Sequence, residues 1–148
     1  SVGANVWHLL GHFHFYLTVK LLADQFIIME LSRYGIHGIV PSHGSILYSL
    51  LQYESLTMSE LSDKINKDPS TVTTLVKKLE LLGYVKVYKD SRDKRISRVK
   101  LTRKGDTFKN IFENISEAMY KIQYRNMSEE EILTLKNLLE KLVANFYC

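Results

Sequence analysis

Cysteine is almost absent from this chain of 148 residues, because the one cysteine, Cys148, is the last residue. A single thiol cannot form a disulfide within the chain, which is typical of the reducing cytoplasm, and we expect that location. The sequence also lacks glycine-rich phosphate-binding motifs, the H-E-x-x-H metallopeptidase motif and a cysteine nucleophile in a core position. No pair of carboxylates stands out from ordinary surface charge. We therefore expect neither an enzyme nor a bound cofactor.

An uninterrupted apolar run long enough to cross a membrane is missing as well. The nearest approach, residues 6–31, contains three histidines, Lys20, Asp24 and Gln25, which a membrane helix tolerates badly. We predict one long helix over residues 5–33, with apolar residues on nearly all of its faces. Such a helix must be covered on all sides. A domain this small struggles to do so alone, so we expect a second copy of the chain to cover it, and no membrane contact.

Proline occurs only twice, and each proline stands at a boundary between predicted helices. Pro41 follows two glycines and separates the first helix from a second over about residues 42–53. A third helix is predicted to begin at Thr57, which forms the capping-box pattern Thr-x-x-Glu with Glu60. Its apolar stripe consists of Met58, Leu61 and Ile65.

A fourth helix is predicted after Asp68, a good N-cap residue, with Pro69 at the first helical position. Apolar residues recur through it at helical spacing, at Val72, Leu75, Val76, Leu79 and Leu82. Gly83 is a typical helix end. Two short helices with a brief connection, the second cleanly capped, are typical of a helix-turn-helix.

The period changes after Gly83. Strand-forming residues lie on both sides of the polar segment "KDSRDKR" and predict a β-hairpin: Tyr84, Val85, Val87 and Tyr88 before it, and Ile96, Val99 and Leu101 after it. A fifth helix is predicted over about 103–125. A capping box of Ser128 with Glu131 opens a last helix to about Phe146. The fold class is therefore mainly α with a small β-hairpin wing, a winged helix-turn-helix.

Positive charge is concentrated in the predicted wing. Residues 86–104 contain nine lysines and arginines against two aspartates, although the whole chain has a net charge of only +4. A basic block between nearly neutral ends indicates a polyanionic partner. We predict double-stranded DNA as that partner.

Three motifs resemble the MarR family of bacterial transcriptional regulators. "DSRDKR" matches the family's Asp-x-Arg-Asp-x-Arg wing pattern, "LTRKG" at 101–105 matches the segment after the wing, and "STVTTLVKKLELLGYV" is similar to its recognition helix. The resemblance implies a single domain over 1–148, with the winged helix-turn-helix at about 42–103 and dimerisation helices at about 5–33 and 104–147. It also implies a homodimeric DNA-binding regulator, more often a repressor, on a palindromic operator, with repression often relieved by a small ligand.

The DNA-binding side chains are predicted on the fourth helix and the wing. The exposed side of the helix carries Ser70, Thr71, Thr73, Thr74, Lys77 and Lys78. Short hydroxyls near a helix N-terminus can approach base edges, and the free amides there favour a phosphate. Arg92 and Arg95, with Lys94 beside them, suit the minor groove or the backbone. Asp90 and Asp93 are expected to hold the arginines. By the resemblance, Ser59 touches the DNA backbone.

Three alternatives remain open. His8 and His12 are spaced i,i+4 and can present two nitrogens to Zn²⁺, as in a metal-responsive regulator of this fold. Aromatic residues can line a pocket for a small apolar or phenolic effector, namely Trp7, Phe13, Phe15, Tyr16, Tyr34, Tyr48 and Tyr53. A winged helix can also serve as a protein–protein module, although such a module needs no basic tip. Thiol redox sensing is not expected, because the family's sensors use a cysteine in the first helix.

Overall fold

The computed structural model describes the backbone of residues 2–147 and the side chains of residues 12–147. Contacts group the chain into two compact units, residues 1–115 and 116–148. In chain order the elements are α1 (Val2–Arg33), α2 (Pro41–Gln52), β1 (Leu56–Thr57), α3 (Met58–Ile65), α4 (Pro69–Leu81), β2 (Val85–Lys89), β3 (Ser97–Leu101), α5 (Arg103–Asp106), α6 (Phe108–Gln123) and α7 (Glu129–Ala144). The mainly helical fold with a hairpin wing is confirmed.

Helix α1 is long, as predicted, and its described part is poorly covered within one chain. Leu31, near its end, is buried against the core. Six large apolar side chains earlier in the helix are each more than half exposed, namely Phe13, Phe15, Leu17, Val19, Leu21 and Leu22. Within residues 2–147 no helix combines the length and the apolar character needed to cross a membrane.

The predicted helix ends are confirmed where local side-chain chemistry defines them. The Thr57 hydroxyl accepts a hydrogen bond from the amide of Glu60 at 3.1 Å, and the Glu60 carboxylate accepts one from the amide of Thr57 at 2.8 Å. Ser128 and Glu131 make the same reciprocal pair at the start of α7. Gly83 has a φ of +82°, a left-handed conformation that glycine adopts without steric cost, and it lies directly after the C-cap of α4.

A three-stranded antiparallel sheet, in the order β1–β3–β2, carries the wing. In the hairpin Val85 pairs with Leu101, Val87 with Val99 and Lys89 with Ser97. Strand β1 was not predicted, because two residues show no period; its Leu56 pairs with Val99. Ile96, expected in the second strand, lies outside it, because its amide and carbonyl close the turn with Asp93 and Asp90.

The helix predicted over 103–125 is broken at Thr107. That residue's hydroxyl donates to the carbonyl of Lys104 at 2.6 Å and its amide bonds the same carbonyl at 3.3 Å. This tight turn ends the four-residue α5 before α6 begins. The last helix ends at Ala144, two residues earlier than expected.

The core of the first unit lies where α1, α2, α3, α4, the sheet and the start of α6 meet. Its buried side chains are Leu31, Ile39, Ile46, Leu47, Leu50, Leu56, Leu61, Val72, Val76, Leu79, Val85, Val99, Phe108 and Ile115. The buried residues of α4 (Val72, Val76 and Leu79) fix the rotation of that helix. Its opposite face is therefore turned to solvent.

Candidate nucleic-acid interface

The solvent face of α4 presents hydroxyls and ammonium groups. Ser70, Thr74 and Lys77 recur at i, i+4 and i+7 and are exposed, opposite the buried valines. Thr71 and Thr73 lie at its flanks and are partly covered. The structure thus brings the predicted residues of this helix onto one accessible surface. Lys78 is exposed as well, and its Nζ lies close to Gly38.

Asp68 organises the first turn of that face. Its carboxylate accepts hydrogen bonds from the Thr71 amide at 2.9 Å, the Ser70 hydroxyl at 2.5 Å and the Thr71 hydroxyl at 2.7 Å. Hydrogen bonds from Ser70 first, then Thr71, hold the pKa of Asp68 far below its usual range. We expected free amides at this helix end to favour a phosphate. The Thr71 amide is not free, because it already donates to the Asp68 carboxylate. From the sequence, Asp68 was predicted only as an N-cap residue. The hydroxyls of Ser70 and Thr71, at the second and third helical positions, are the signal that could have predicted the larger network.

The wing loop is ordered by its two aspartates, each in a different way. Asp90 accepts hydrogen bonds from the backbone amides of Arg92 and Asp93 at 2.9 and 3.0 Å, which wraps the turn around its carboxylate. Those bonds, the one from Asp93 first, lower the pKa of Asp90. The aspartate therefore shapes the loop before any ligand arrives.

Asp93 holds the side chain of Arg95. The guanidinium donates through Nε and Nη2 to the two carboxylate oxygens, both at 3.0 Å, and the Arg95 amide adds a third bond. The side-chain bond from Arg95 is the main reason that the pKa of Asp93 is lowered. The Arg95 side chain remains 91% exposed, so its direction is set while it stays accessible to a partner.

Asp90 forms its ion pair with an arginine outside the predicted set. Its ion pair is with Arg98, whose Nη1 lies 3.4 Å from the carboxylate, whereas Arg92 donates a hydrogen bond to Asp90 through its backbone amide. Arg98 also donates to the Ser55 hydroxyl at 3.0 Å. Sequence reasoning missed this anchor because Ser55 and Arg98 are 43 residues apart. Arg98 ties the wing to the segment before α3.

The remaining predicted contacts lie on the same unit and are accessible. Lys94 and Arg92 are exposed at the wing tip, and Ser59 is exposed at the second position of α3. On the hairpin, Lys86 lies directly opposite Lys100, a like-charged pair that destabilises a sheet when it has no anion nearby. Among the side chains that the structure describes, neither of these two lysines makes an ion pair.

The "LTRKG" segment serves the fold rather than the charged surface. Thr102 caps α5 and donates its hydroxyl to the carbonyl of Gly83 at 2.6 Å. Lys104 donates to the carbonyl of Leu82 at 2.8 Å and lies over the ring of Tyr84. These bonds fasten the exit of the wing to the end of α4, so the motif fixes the wing relative to that helix.

The histidines and aromatic rings are only partly described. The side chains of His8 and Trp7 lie outside the described residues, and with His8 the alternative of a zinc pair at His8 and His12 lies outside them too. Within the described part of the chain, no three His, Cys, Asp or Glu side chains could together hold a metal ion.

Tyr53, under the ammonium of Lys64, lines an open pocket of about 420 Å³ between the end of α2 and β3. Phe13 and Tyr16 meet edge to face on α1.

The fold and this surface define a winged helix-turn-helix regulator. The MarR family model matches residues 39–97. The chain is 30% identical to the transcriptional repressor MdtR of Bacillus subtilis, over 71% of the chain and 68% of that protein. It is 32% identical to the transcriptional regulator SarZ of Staphylococcus saprophyticus, over 69% and 68%. The chain belongs to the MarR family of transcriptional regulators, and it is a regulator rather than an enzyme.

Solved structures show the same fold. A mutant of Escherichia coli MarR complexed with operator DNA superposes with a TM-score of 0.82 at 22% identity, covering 91% of this chain and 95% of that one. The S. aureus MepR–DNA complex superposes with a TM-score of 0.81 at 22% identity, covering 89% and 96%. Both neighbours were solved with DNA bound to them.

Proposed function

We propose that this chain is a cytoplasmic transcriptional repressor that binds a palindromic DNA operator as a homodimer. The observation that carries the proposal is the pairing, on one compact unit, of the hydroxyl-bearing face of α4 with a pre-ordered arginine at the wing tip. A helix of this kind suits the major groove, and an arginine on a narrow loop suits the minor groove. Membership of a family with DNA-bound structural neighbours supports the same reading.

The two surfaces have separate tasks in this proposal. The hydroxyl oxygens of Ser70, Thr71, Thr73 and Thr74 face base edges and the Ser59 hydroxyl faces the backbone, while positive charge comes from Lys77, Arg92, Lys94 and Arg95. Contacts to phosphates position a protein, and contacts to base edges select the sequence. The Lys86–Lys100 pair adds an electrostatic field beside the wing, and its unfavourable opposition is relieved when phosphates lie nearby.

The homodimer is supported by apolar surface that a single chain leaves exposed. Helix α1 exposes the six side chains named above, and in the second unit none of the side chains of α7 is buried. Leu133, Leu138 and Val143 of α7 are each more than half exposed. Apolar surface of this extent marks an interaction site. A two-fold dimer would place two copies of α4 about 34–36 Å apart, in successive major grooves.

The decisive experiment is selection of duplexes from a random 30-base-pair library by the full chain, followed by affinity measurement in a salt series. Enrichment of an inverted repeat, bound more tightly than scrambled duplex, is the expected result. Lys77→Gln should weaken binding to the inverted repeat and to the scrambled duplex alike. It should also lower the slope of log affinity against log salt concentration by about 0.9 for the lost phosphate contact. Binding to proteins but to no duplex at low salt would favour the protein–protein module instead.

We also propose that a small apolar or phenolic ligand relieves binding, supported by the exposed rings of Phe13, Phe15 and Tyr16 on α1. Titration of benzoate and phenol into the protein–duplex complex should release the DNA. The same titration of a Phe13→Ala variant should release it less readily. Equal release from both proteins would remove this ring from the effector site.

A further inference from the structure

The hydroxyls on the solvent face of α4 have all given their hydrogens to the protein itself. Ser70 and Thr71 donate to the carboxylate of Asp68 at 2.5 and 2.7 Å. Thr73 donates to the carbonyl of Pro69 at 2.9 Å, and Thr74 donates to the carbonyl of Ser70 at 3.1 Å. A carboxylate and a carbonyl carry no hydrogen, so in each bond the hydrogen must come from the hydroxyl.

This bonding leaves each hydroxyl oxygen with lone pairs only. A serine or threonine hydroxyl has one hydrogen and two acceptor positions. With the hydrogen committed, the oxygens of Ser70 and Thr71 present acceptors to whatever approaches the helix. Their bonds to Asp68 are charge-assisted and so are stronger than bonds to water or to a carbonyl. These bonds lower the pKa of Asp68, so the aspartate is charged at neutral pH.

The major groove offers few partners to an acceptor. Phosphate oxygens, guanine O6 and N7 and thymine O4 all accept, and only the amino groups of adenine N6 and cytosine N4 donate. We propose that Asp68 is a specificity-determining positioning residue, which fixes the hydroxyls of Ser70 and Thr71 as acceptors so that α4 reads an adenine or cytosine amino group. The inference rests on the proposed function and names the chemistry that the helix reads.

A substitution at Asp68 can remove this fixing without removing the helix cap. Serine is as good an N-cap as aspartate, but its one oxygen cannot accept from the Thr71 amide and hold both hydroxyls, so in Asp68→Ser at least one hydroxyl becomes free to donate. Asp63→Ser is the matched control, because it removes another exposed carboxylate, from the neighbouring helix α3. Circular dichroism and thermal melting should show that both variants are folded.

The measurement uses the duplex that the wild-type chain selects from a random 30-base-pair library. At each half-site position, adenine is replaced by purine and cytosine by pyrimidin-2-one, which deletes the amino group alone. For wild type and Asp63→Ser, one deletion should weaken binding roughly 5- to 150-fold. For Asp68→Ser the same deletion should weaken binding by less than about threefold. All proteins meet the same duplexes, so the effect of the weaker base pair cancels.

A double variant tests whether Asp68 acts through the hydroxyl. If it does, Ser70→Ala should reduce the discrimination in the wild-type background and change it little in the Asp68→Ser background. The inference is overturned if no amino deletion weakens wild-type binding, or if Asp68→Ser discriminates as wild type does. Failure of the wild-type chain to enrich any sequence would overturn the proposed function itself, and with it this inference.

Discussion

The pairing of Asp93 with Arg95 predicts an unusual effect of charge on DNA affinity. Removing a negative charge from a DNA-binding surface ordinarily raises affinity. Here Asp93→Asn should lower operator affinity, because the amide cannot hold the guanidinium at both nitrogens and the loop must be ordered on binding. Arg95→Ala should cost roughly 1–3 kcal/mol. The measurement is fluorescence anisotropy on the selected duplex.

The control for this pair is Asp63→Asn, which removes an exposed carboxylate outside the wing. It should bind as tightly as wild type or slightly more tightly. A gain in affinity for Asp93→Asn would show that the aspartate merely repels DNA. If Arg92→Ala and Arg95→Ala both bind like wild type, the wing is not part of the interface.

His43 couples the fold to pH. Its side chain is 5% exposed, and Nδ1 accepts a hydrogen bond from the Val40 amide at 3.0 Å at the start of α2. Burial, and then the nearby Lys78 ammonium, lower the pKa of His43 below its ordinary value of 6.5. Below pH 6.5 the unfolded chain therefore binds more protons than the folded one. The stability from the neutral imidazole is present above pH 6.5 and is lost as pH falls through the folded pKa.

Urea unfolding at pH 7.5 and pH 5.5 measures this effect. The free energy of unfolding should fall between these values by more in wild type than in His43→Gln, because glutamine at this helix position accepts the same amide without titrating. His37→Gln, which replaces an exposed histidine, should keep the wild-type dependence. An unchanged pH dependence in His43→Gln would assign the effect to other groups.

Among the elements, α5 fits so closely against the start of β2 that only glycine is accepted at position 105. A methyl group there would overlap the backbone carbonyl oxygen of Tyr84 and lie 2.9 Å from Cδ2 of Leu101. Gly105→Ala should destabilise the fold by roughly 1–3 kcal/mol through overpacking. In α2, the methyl group of Gly44→Ala would lie at an ordinary contact distance of 3.8 Å from Phe112, and the change should stabilise the helix by roughly 0.5–1 kcal/mol. Chemical denaturation of both variants checks the contrast.

The elements also divide by how far the sequence could predict them. The starts of α3, α4 and α7 were predictable because each depends on bonds between residues two or three positions apart. Strand β1 and the Arg98–Ser55 bond were not, because they join distant segments that show no local pattern. The Asp68 network was predictable only in part. The N-cap was evident, but the direction of two hydroxyl hydrogens follows only from the positions of the atoms.

At the scale of the whole molecule, the exposed faces of α1 and α7 predict that the chain is stable only as a pair. Light scattering at micromolar concentration should return twice the chain mass of 17.2 kDa. The urea midpoint should rise with protein concentration, as mass action requires. Leu17→Asp puts a charge at a position that is 65% exposed in one chain and that the partner would cover. It should therefore lower both the measured mass and the urea midpoint. A stable monomer with a concentration-independent midpoint would contradict the dimer.

The carboxylate of Asp68 at the N-terminus of α4 also bears on how fast a site is found. A helix end with free amides binds any phosphate that it meets, on every sequence. Here that end already holds an anion of its own chain, so binding to random DNA depends on lysine and arginine, whose contacts pass readily from one phosphate to the next. We expect the protein to slide along non-specific DNA while the N-terminal end of α4 makes no hydrogen bond to the bases. It would stop only where adenine or cytosine amino groups donate to the hydroxyl oxygens of Ser70 and Thr71.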